Sequence, residues 1–280
     1  MSFDASDIRE LGLWALPLAQ RAGAVIMDIY KASPEVRYKA DRSPVTDADV
    51  ACEHIILKAL SRLAGDIPVV AEEALSCGAP PRIADRFFLI DPVDGTKEFI
   101  RANGEFTVNI ALVENRAPVF GLVYAPAFSD CYVTLGTDSA VRLKLVPDHN
   151  PEPRPAYEFQ PISGERPHSR GFTAIVSRSN QTPATESFLR RIGDPPCLRM
   201  GSSLKFGVVA RGDADVYPRF APTSEWDIAA GHALVNAAGG CVLTETGEPL
   251  DYGKIDRNFA NPSFVVWRRR DEAEAILQGA

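Results

Sequence analysis

The amino-acid sequence predicts an α/β protein with an α+β N-terminal half and an α/β C-terminal half. Three observations point there. Short runs of β-branched and apolar residues alternate with segments of helical periodicity. Two consecutive runs read as an antiparallel hairpin. A proline-rich stretch at 146–167 interrupts the pattern and divides the chain into 1–145, 146–167 and 168–280.

Apolar residues at Ile8, Leu11, Leu13, Trp14, Leu16 and Leu18, then Val25, Ile26 and Ile29, recur at helical spacing. Pro17 interrupts them. Proline suits a first helical position better than an interior one, so the prediction is a helix over 17–30 preceded by a shorter helical turn. The polar stretch 31–49, with Pro34 and Pro44, reads as a loop or hairpin leading into a helix over 49–63, which puts Asp49 at a helix start. Residues 68–71 read as a buried strand ending at Glu72-Glu73, and 86–90 as another ending at Asp91. Both strands therefore deliver carboxylates at their C-terminal ends. The hairpin spans 107–114 and 117–124.

Pro147, Pro151, Pro153, Pro155, Pro161 and Pro167 disfavour regular structure over 146–167, which reads as a flexible excursion or the seam between halves. Beyond it come a strand over 172–177, a helix over 204–211 closed by Gly212, a helix over 224–238 closed by Gly239-Gly240, and a strand over 264–267.

With 280 residues, 45% of them hydrophobic, the chain is long enough for a large core. Its net charge of -7 argues against a nucleic-acid partner, which calls for a basic stripe. An acidic protein that handles phosphate needs local positive charge, and bound cations supply it. No run approaches the ~20 apolar residues of a membrane helix, and the N-terminus opens MSFDASDIRE, unlike a secretory leader. Cytoplasmic location without stable membrane insertion is the expectation. Cys52, Cys77, Cys131, Cys197 and Cys241 are odd in number and lack CxxC spacing, which fits reduced thiols. His54, His149, His168 and His232 show no ligand spacing.

The most informative stretch is Asp91-Pro92-Val93-Asp94-Gly95-Thr96, directly after a strand. Pro92 turns the chain out of the sheet, two aspartates three apart can face one point, and Gly95 admits a ligand close to the backbone. Taken alone, DxxDG is more often a solvated acidic turn than a cation site. Glu72 at another strand end and Asp227 in the first turn of a helix give it company. Convergence of Glu72, Asp91, Asp94 and Asp227 would accumulate like charge that magnesium ions neutralise, a set suited to two-metal displacement at phosphorus.

These segments resemble a known family. AEE at 71–73, DPVDGT at 91–96 and WDIAAGHALVNAAGG at 226–240 are similar to the three signature regions of the inositol monophosphatase-like superfamily, in order and at suitable separation. DPVDGTKEFI at 91–100, NGEFTVNIALV at 103–113, GSSLKF at 201–206, YPRF at 217–220 and PLDY at 249–252 narrow the resemblance to its bisphosphate nucleotidase branch, the CysQ type. It implies a layered αβαβα sandwich of the sugar-phosphatase type. It implies two or three Mg2+ per site, held by Glu72, Asp91, the Val93 carbonyl, Asp94 and Asp227. Glu72, Thr96 and Asp49 would be catalytic, Thr96 orienting the attacking water and Asp49, from the SPVTxAD pattern, holding Thr96. Asp47 beside Asp49 leaves open which of the two pairs with Thr96.

Asp94, Gly95, Thr96, Gly201, Ser202, Ser203, Lys205, Arg219 and Asp227 would contact substrate. Serines before a helix can offer amides and hydroxyls, and Lys205 can offset a second phosphate. Arg219 matches phosphate geometry, with a structural salt bridge as the alternative. Lys97 and Glu98 look like a branch marker with no assigned chemistry, and Glu225 stands close enough in sequence to reach the site.

The implied reaction is hydrolysis of the 3'-phosphate of adenosine 3',5'-bisphosphate to AMP, with the related sulfonucleotide as a second substrate and inhibition by lithium and calcium. Rivals are an inositol or sugar phosphatase of the same superfamily and a non-catalytic nucleotide-binding regulator. The resemblance leaves open monomer or homodimer, and peripheral association with the cytoplasmic face of the inner membrane.

Overall fold

A computed structural model describes residues 7–32, 36–39, 44–78, 83–152, 156–164 and 171–278. Pro34, Pro153, Pro155, Pro167 and His168 lie outside the described residues.

Helix α1 (Ile8–Lys31) is followed by the hairpin β1 (Val36–Tyr38) and β2 (Pro44–Thr46), then α2 (Asp47–Leu63), β3 (Val69–Ala71) and α3 (Glu72–Cys77). Strand β4 (Arg86–Asp94) leads into α4 (Thr96–Ile100). Strands β5 (Thr107–Glu114), β6 (Ala117–Ala125), β7 (Asp130–Gly136), β8 (Ser139–Lys144) and β9 (Gln160–Ile162) complete a seven-stranded sheet in the order β3-β4-β5-β6-β7-β8-β9. Only its first pair is parallel.

The second half contributes β10 (Ala174–Ser177), α5 (Pro183–Arg191), β11 (Cys197–Met200), α6 (Leu204–Ala210), β12 (Val216–Arg219), α7 (Glu225–Ala237), β13 (Cys241–Thr244), β14 (Phe264–Trp267) and α8 (Arg270–Gln278). Its five strands run β11-β10-β12-β14-β13.

Successive strand residues face opposite sides, so β4 alone seeds two cores. Phe88 and Ile90 join Leu16, Ala19 and Ile56 under α1 and α2. Phe87 and Leu89 face Phe206, Leu234 and Val235 of α6 and α7. A third cluster, with Phe188, Trp267 and Ala273, lies under α5 and α8. The layers are therefore αβαβα, with α6 and α7 between the sheets.

Three predicted elements differ from the observed ones. Helix α1 runs unbroken through Pro17. An interior proline costs about 3 kcal/mol, but Leu11, Leu16 and Ile26 are fully buried on either side at about 1.5–3 kcal/mol each, which outweighs it. Helix α2 starts at Asp47 because Thr46 and Asp49 form a capping box, the Asp49 Oδ2 accepting from Thr46 N at 2.8 Å. The proline-rich stretch holds β9, where Pro161 sits on the outermost strand of the sheet; an edge tolerates a residue without an N–H.

Candidate active site

Strand β3 and the bulged end of β4 bring their carboxylates together. The register of β4 on β5 shifts between Asp91 and Asp94, so the ladder breaks at Pro92-Val93. One carboxylate oxygen from each of Glu72, Asp91 and Asp227 lies within 4.8 Å of the others. Asp227 arrives from the opposite half as the third residue of α7, where its Oδ2 accepts from Ser224 N at 2.8 Å. Asp94 neighbours the trio and is held by the Ser203 hydroxyl at 2.8 Å.

Burial and mutual repulsion destabilise these anions. Burial raises the Asp91 carboxyl well above the usual range, and the charges of Glu72, Asp94, Asp227 and Asp49 add to the effect. Asp227 is raised well above it too, by burial and then by Asp94 and Glu72. For Asp94, burial is partly countered by Lys205 and Ser203. Glu72 is raised by burial and relieved by Lys39, whose Nζ donates to Glu72 Oε1 at 2.6 Å and Glu73 Oε1 at 2.7 Å. An all-oxygen donor set with surplus negative charge fits a hard divalent cation such as magnesium.

Gly95 connects this cluster to α4. Its φ of 93° lies in the left-handed region, and an added Cβ would sit 2.9 Å from the Glu105 carbonyl, so both conformation and space demand glycine. The Thr96 hydroxyl donates to the Val93 carbonyl at 3.4 Å.

The expected pairing of Asp49 with Thr96 is not among the hydrogen bonds of the described residues. Asp49 Oδ2 instead accepts from Thr46 N and from Thr46 Oγ1 at 2.7 Å, because it completes the cap of α2. Burial pushes its carboxyl up to about 6, with the Thr46 bonds acting the other way. Asp47 stands at the surface paired with Arg37, which removes it as the alternative. Glu225 does not reach the site. Fully buried, it accepts from Gly253 N at 2.7 Å and Lys254 N at 2.9 Å and pairs with Lys254 Nζ at 2.8 Å, so it anchors the loop before β14.

A cavity of about 210 Å³ opens beside the acids, and its lining includes Glu72, Asp94, Glu98 and Asp227 together with Lys97, Lys205 and Arg219. Gly95, Thr96, Gly201, Ser202 and Ser203 line it as well, so every predicted substrate contact borders one cleft. Ser203 is already engaged: besides Asp94 it meets the Asp227 carbonyl and accepts from Asn109 Nδ2 at 3.1 Å. Lys205 donates to the Ser202 carbonyl and lies 5.1 Å over the Tyr217 ring. Burial brings its ammonium down to about 8, Asp94 opposing and Arg219 reinforcing the shift. Arg219 donates to the Pro222 carbonyl at 3.2 Å, and among the described residues no ion pair joins it to a carboxylate.

Sequence reasoning missed Lys39, Glu53 and Glu98. Glu53 accepts from Glu73 N at 2.8 Å and Ala74 N at 2.7 Å, capping α3 and so fixing where Glu72 points. Glu98, 5% exposed, borders the cavity. No local pattern marks the first two, since each acts on a partner 20 or more residues away. The KE pair at 97–98 was visible only as a branch marker.

Residues 7–278 match the model of the inositol monophosphatase family. A 3'(2'),5'-bisphosphate nucleotidase CysQ from Shigella flexneri is 41% identical over 256 residues, covering 89% of this chain and 96% of the relative. The crystal structure of CysQ from Bacteroides thetaiotaomicron, 38% identical, superposes with a TM-score of 0.76 over 94% of this chain and 98% of that one. The IMPase of Thermotoga maritima, 22% identical, shares the fold with a TM-score of 0.73 over 95% of each chain.

Proposed function

The chain belongs to the inositol monophosphatase family, and from that premise we propose that it is a magnesium-dependent 3'(2'),5'-bisphosphate nucleotidase, releasing the 3'-phosphate of adenosine 3',5'-bisphosphate to leave AMP. The related sulfonucleotide is a second substrate of the same reading, which puts the reaction in cytoplasmic sulfur metabolism, and lithium would inhibit by competing at a magnesium site. The observation that carries it is one cleft lined both by the carboxylates Glu72, Asp94 and Asp227 and by the cations Lys97, Lys205 and Arg219. A substrate with two phosphates calls on both kinds of group, carboxylates that hold cations for the phosphate that leaves and side-chain cations for the phosphate that stays. The CysQ relatives support the nucleotide as the carrier of those phosphates.

Glu72, Asp91, the Val93 carbonyl, Asp94 and Asp227 would hold two or three magnesium ions. When bound, magnesium neutralises the carboxylates and polarises the phosphoryl oxygens. The Thr96 hydroxyl, 3.4 Å from the Val93 carbonyl, lies on the cleft wall where it can orient water for in-line attack. Asp49 acts on this reading by fixing the start of α2 and the field around Asp91 rather than through a formed bond to Thr96. Amides at Gly95 and Thr96 would bind oxygens of the leaving phosphate, while Lys205 and Arg219 would take the other, a guanidinium matching phosphate geometry.

Phosphate release with magnesium from adenosine 3',5'-bisphosphate, inositol 1-phosphate and fructose 1,6-bisphosphate tests this, comparing the parent with Asp94→Asn. A strong nucleotide preference lost in the variant is expected. Equal or greater turnover of inositol phosphate would refute the nucleotidase assignment, and no turnover of any substrate would refute catalysis.

A further inference from the structure

Glu98 sits two residues after Thr96, is nine-tenths buried, and is the one acid on the cavity wall outside the metal-facing group of Glu72, Asp94 and Asp227. Its charge acts on Lys205, and its carboxylate is held by the other half of the chain. Oε1 accepts from the Ser179 hydroxyl, and the same hydroxyl oxygen accepts from Arg101 Nη1 at 2.7 Å. Arg101 in turn lies 4.0 Å from Glu98 Oε1, so acid, hydroxyl and guanidinium close a triangle. Ser179 belongs to the turn after β10, in the other half of the chain. Its neighbours Ser177 and Asn180 form the cavity wall there.

Packing makes the contact specific. Gly201, where the opposite wall begins, abuts Glu98: an added Cβ would fall 2.6 Å from Glu98 Cγ. A second latch runs parallel to the first. Glu105 accepts from Gly201 N at 2.7 Å and binds Arg178 in bidentate fashion at 2.7 and 2.6 Å. The segment that follows Asp94-Gly95-Thr96 thus grips both the turn at 177–180 and the turn at 201–203.

We infer that Glu98 is a positioning residue: through Ser179 it fixes the turn bearing Ser177 and Asn180, and thereby sets affinity for the nucleoside part of the substrate rather than the rate of phosphate transfer. This rests on the proposed nucleotidase reading. The physical reason is the separation of tasks in the cleft. Residues proposed to reach the departing phosphate come from the end of β4 and the starts of α3, α4 and α7, whereas the turn at 177–180 contributes no carboxylate to the metal set. Loosening that turn costs ordering free energy when the nucleoside binds and leaves the acids where they are. It also gives Glu98 of the KE pair at 97–98 a physical role that the sequence did not disclose.

The test is steady-state kinetics of Ser179→Ala, Glu98→Ala and the double variant with adenosine 3',5'-bisphosphate, together with magnesium activation curves and turnover of p-nitrophenyl phosphate, which lacks a nucleoside. Each single variant should raise KM for the nucleotide about tenfold, the loss of one hydrogen bond to a charged group, with kcat and magnesium activation unchanged. The double variant should resemble either single one, since both remove the same link. Turnover of p-nitrophenyl phosphate should stay at the parental level. A raised KM in Glu98→Ala but not in Ser179→Ala would overturn the inference, because the acid would then act directly. Unchanged KM in both, or a fall in kcat for both substrates, would overturn it as well. If the parent itself shows no preference for the nucleotide, the nucleotidase reading fails first, an outcome distinct from a parent with preference and variants that keep it.

Discussion

Replacing Asp91 by asparagine should stabilise the metal-free protein and abolish its response to magnesium. Asp91 is 1% exposed and faces Glu72, Asp94, Asp227 and Asp49, so its ionised form is opposed by burial and by four like charges. In the unfolded chain the same carboxyl ionises near its ordinary value of 3.8. A raised folded value means that the folded state binds more protons, and stability falls as pH rises through the window above 3.8. Asparagine removes the charge and with it that penalty, and each kcal/mol relieved raises Tm by about 2–4 °C in a chain of this size.

Magnesium reverses the order. A parent saturated at 100 times its Kd gains about 2.7 kcal/mol, while a variant lacking a ligand gains little. Thermal unfolding at pH 7 with EDTA and with excess magnesium reads both effects, and the two melting temperatures should cross. An asparagine variant that melts below the parent in EDTA and keeps the full magnesium shift would refute the assignment of Asp91 to an electrostatically strained cation site.

Two further outcomes follow from buried groups away from the cleft. Glu225→Ala leaves Lys254, 6% exposed, without its buried partner and should cost about 3–5 kcal/mol by urea unfolding with the magnesium activation curve unchanged. Full stability with lost activation would instead return Glu225 to the active site. His232, 5% exposed with Nδ1 2.8 Å from the Tyr252 hydroxyl, is pushed down to about 3 by burial and by Lys254. The unfolded chain protonates this histidine near 6.5 and the folded chain does not, so stability present above pH 6.5 is lost towards pH 3. At pH 5 the contribution is about 2 kcal/mol. His232→Gln should flatten the stability profile by one proton between pH 6.5 and 4, measured by urea midpoints, and an unchanged slope would refute it.

The sequence by itself determined the parts of the site that are local. DPVDGT announces a strand end, a bulge and a glycine turn within six residues, and each is dictated by short-range chemistry: a proline without an N–H, two acids three apart, a φ only glycine accepts readily. Helices α2, α6 and α7 and strands β3 to β6 were legible for the same reason, their apolar spacing and caps being read within a dozen residues. Strands β7 and β8, helices α5 and α8 and the small sheet's β11, β12 and β13 were not. The three strands of the small sheet have four residues each, and their strand identity comes from neighbours, as when Pro218 sits in β12 because β14 pairs alongside it.

Only the tertiary structure decided which acids gather into one cluster and which serve the frame. Asp47, Asp49, Glu53, Glu98 and Glu225 are chemically alike and lie near the motifs in sequence, yet one pairs at the surface, three accept from backbone amides or a hydroxyl to fix an element, and one latches two halves. A buried carboxylate is tolerated wherever a donor or a cation meets it. Asp49 meets its donor three residues away, but for Glu53, Glu225 and Glu98 the donors lie 20 to 81 residues away, and no local pattern encodes that distance.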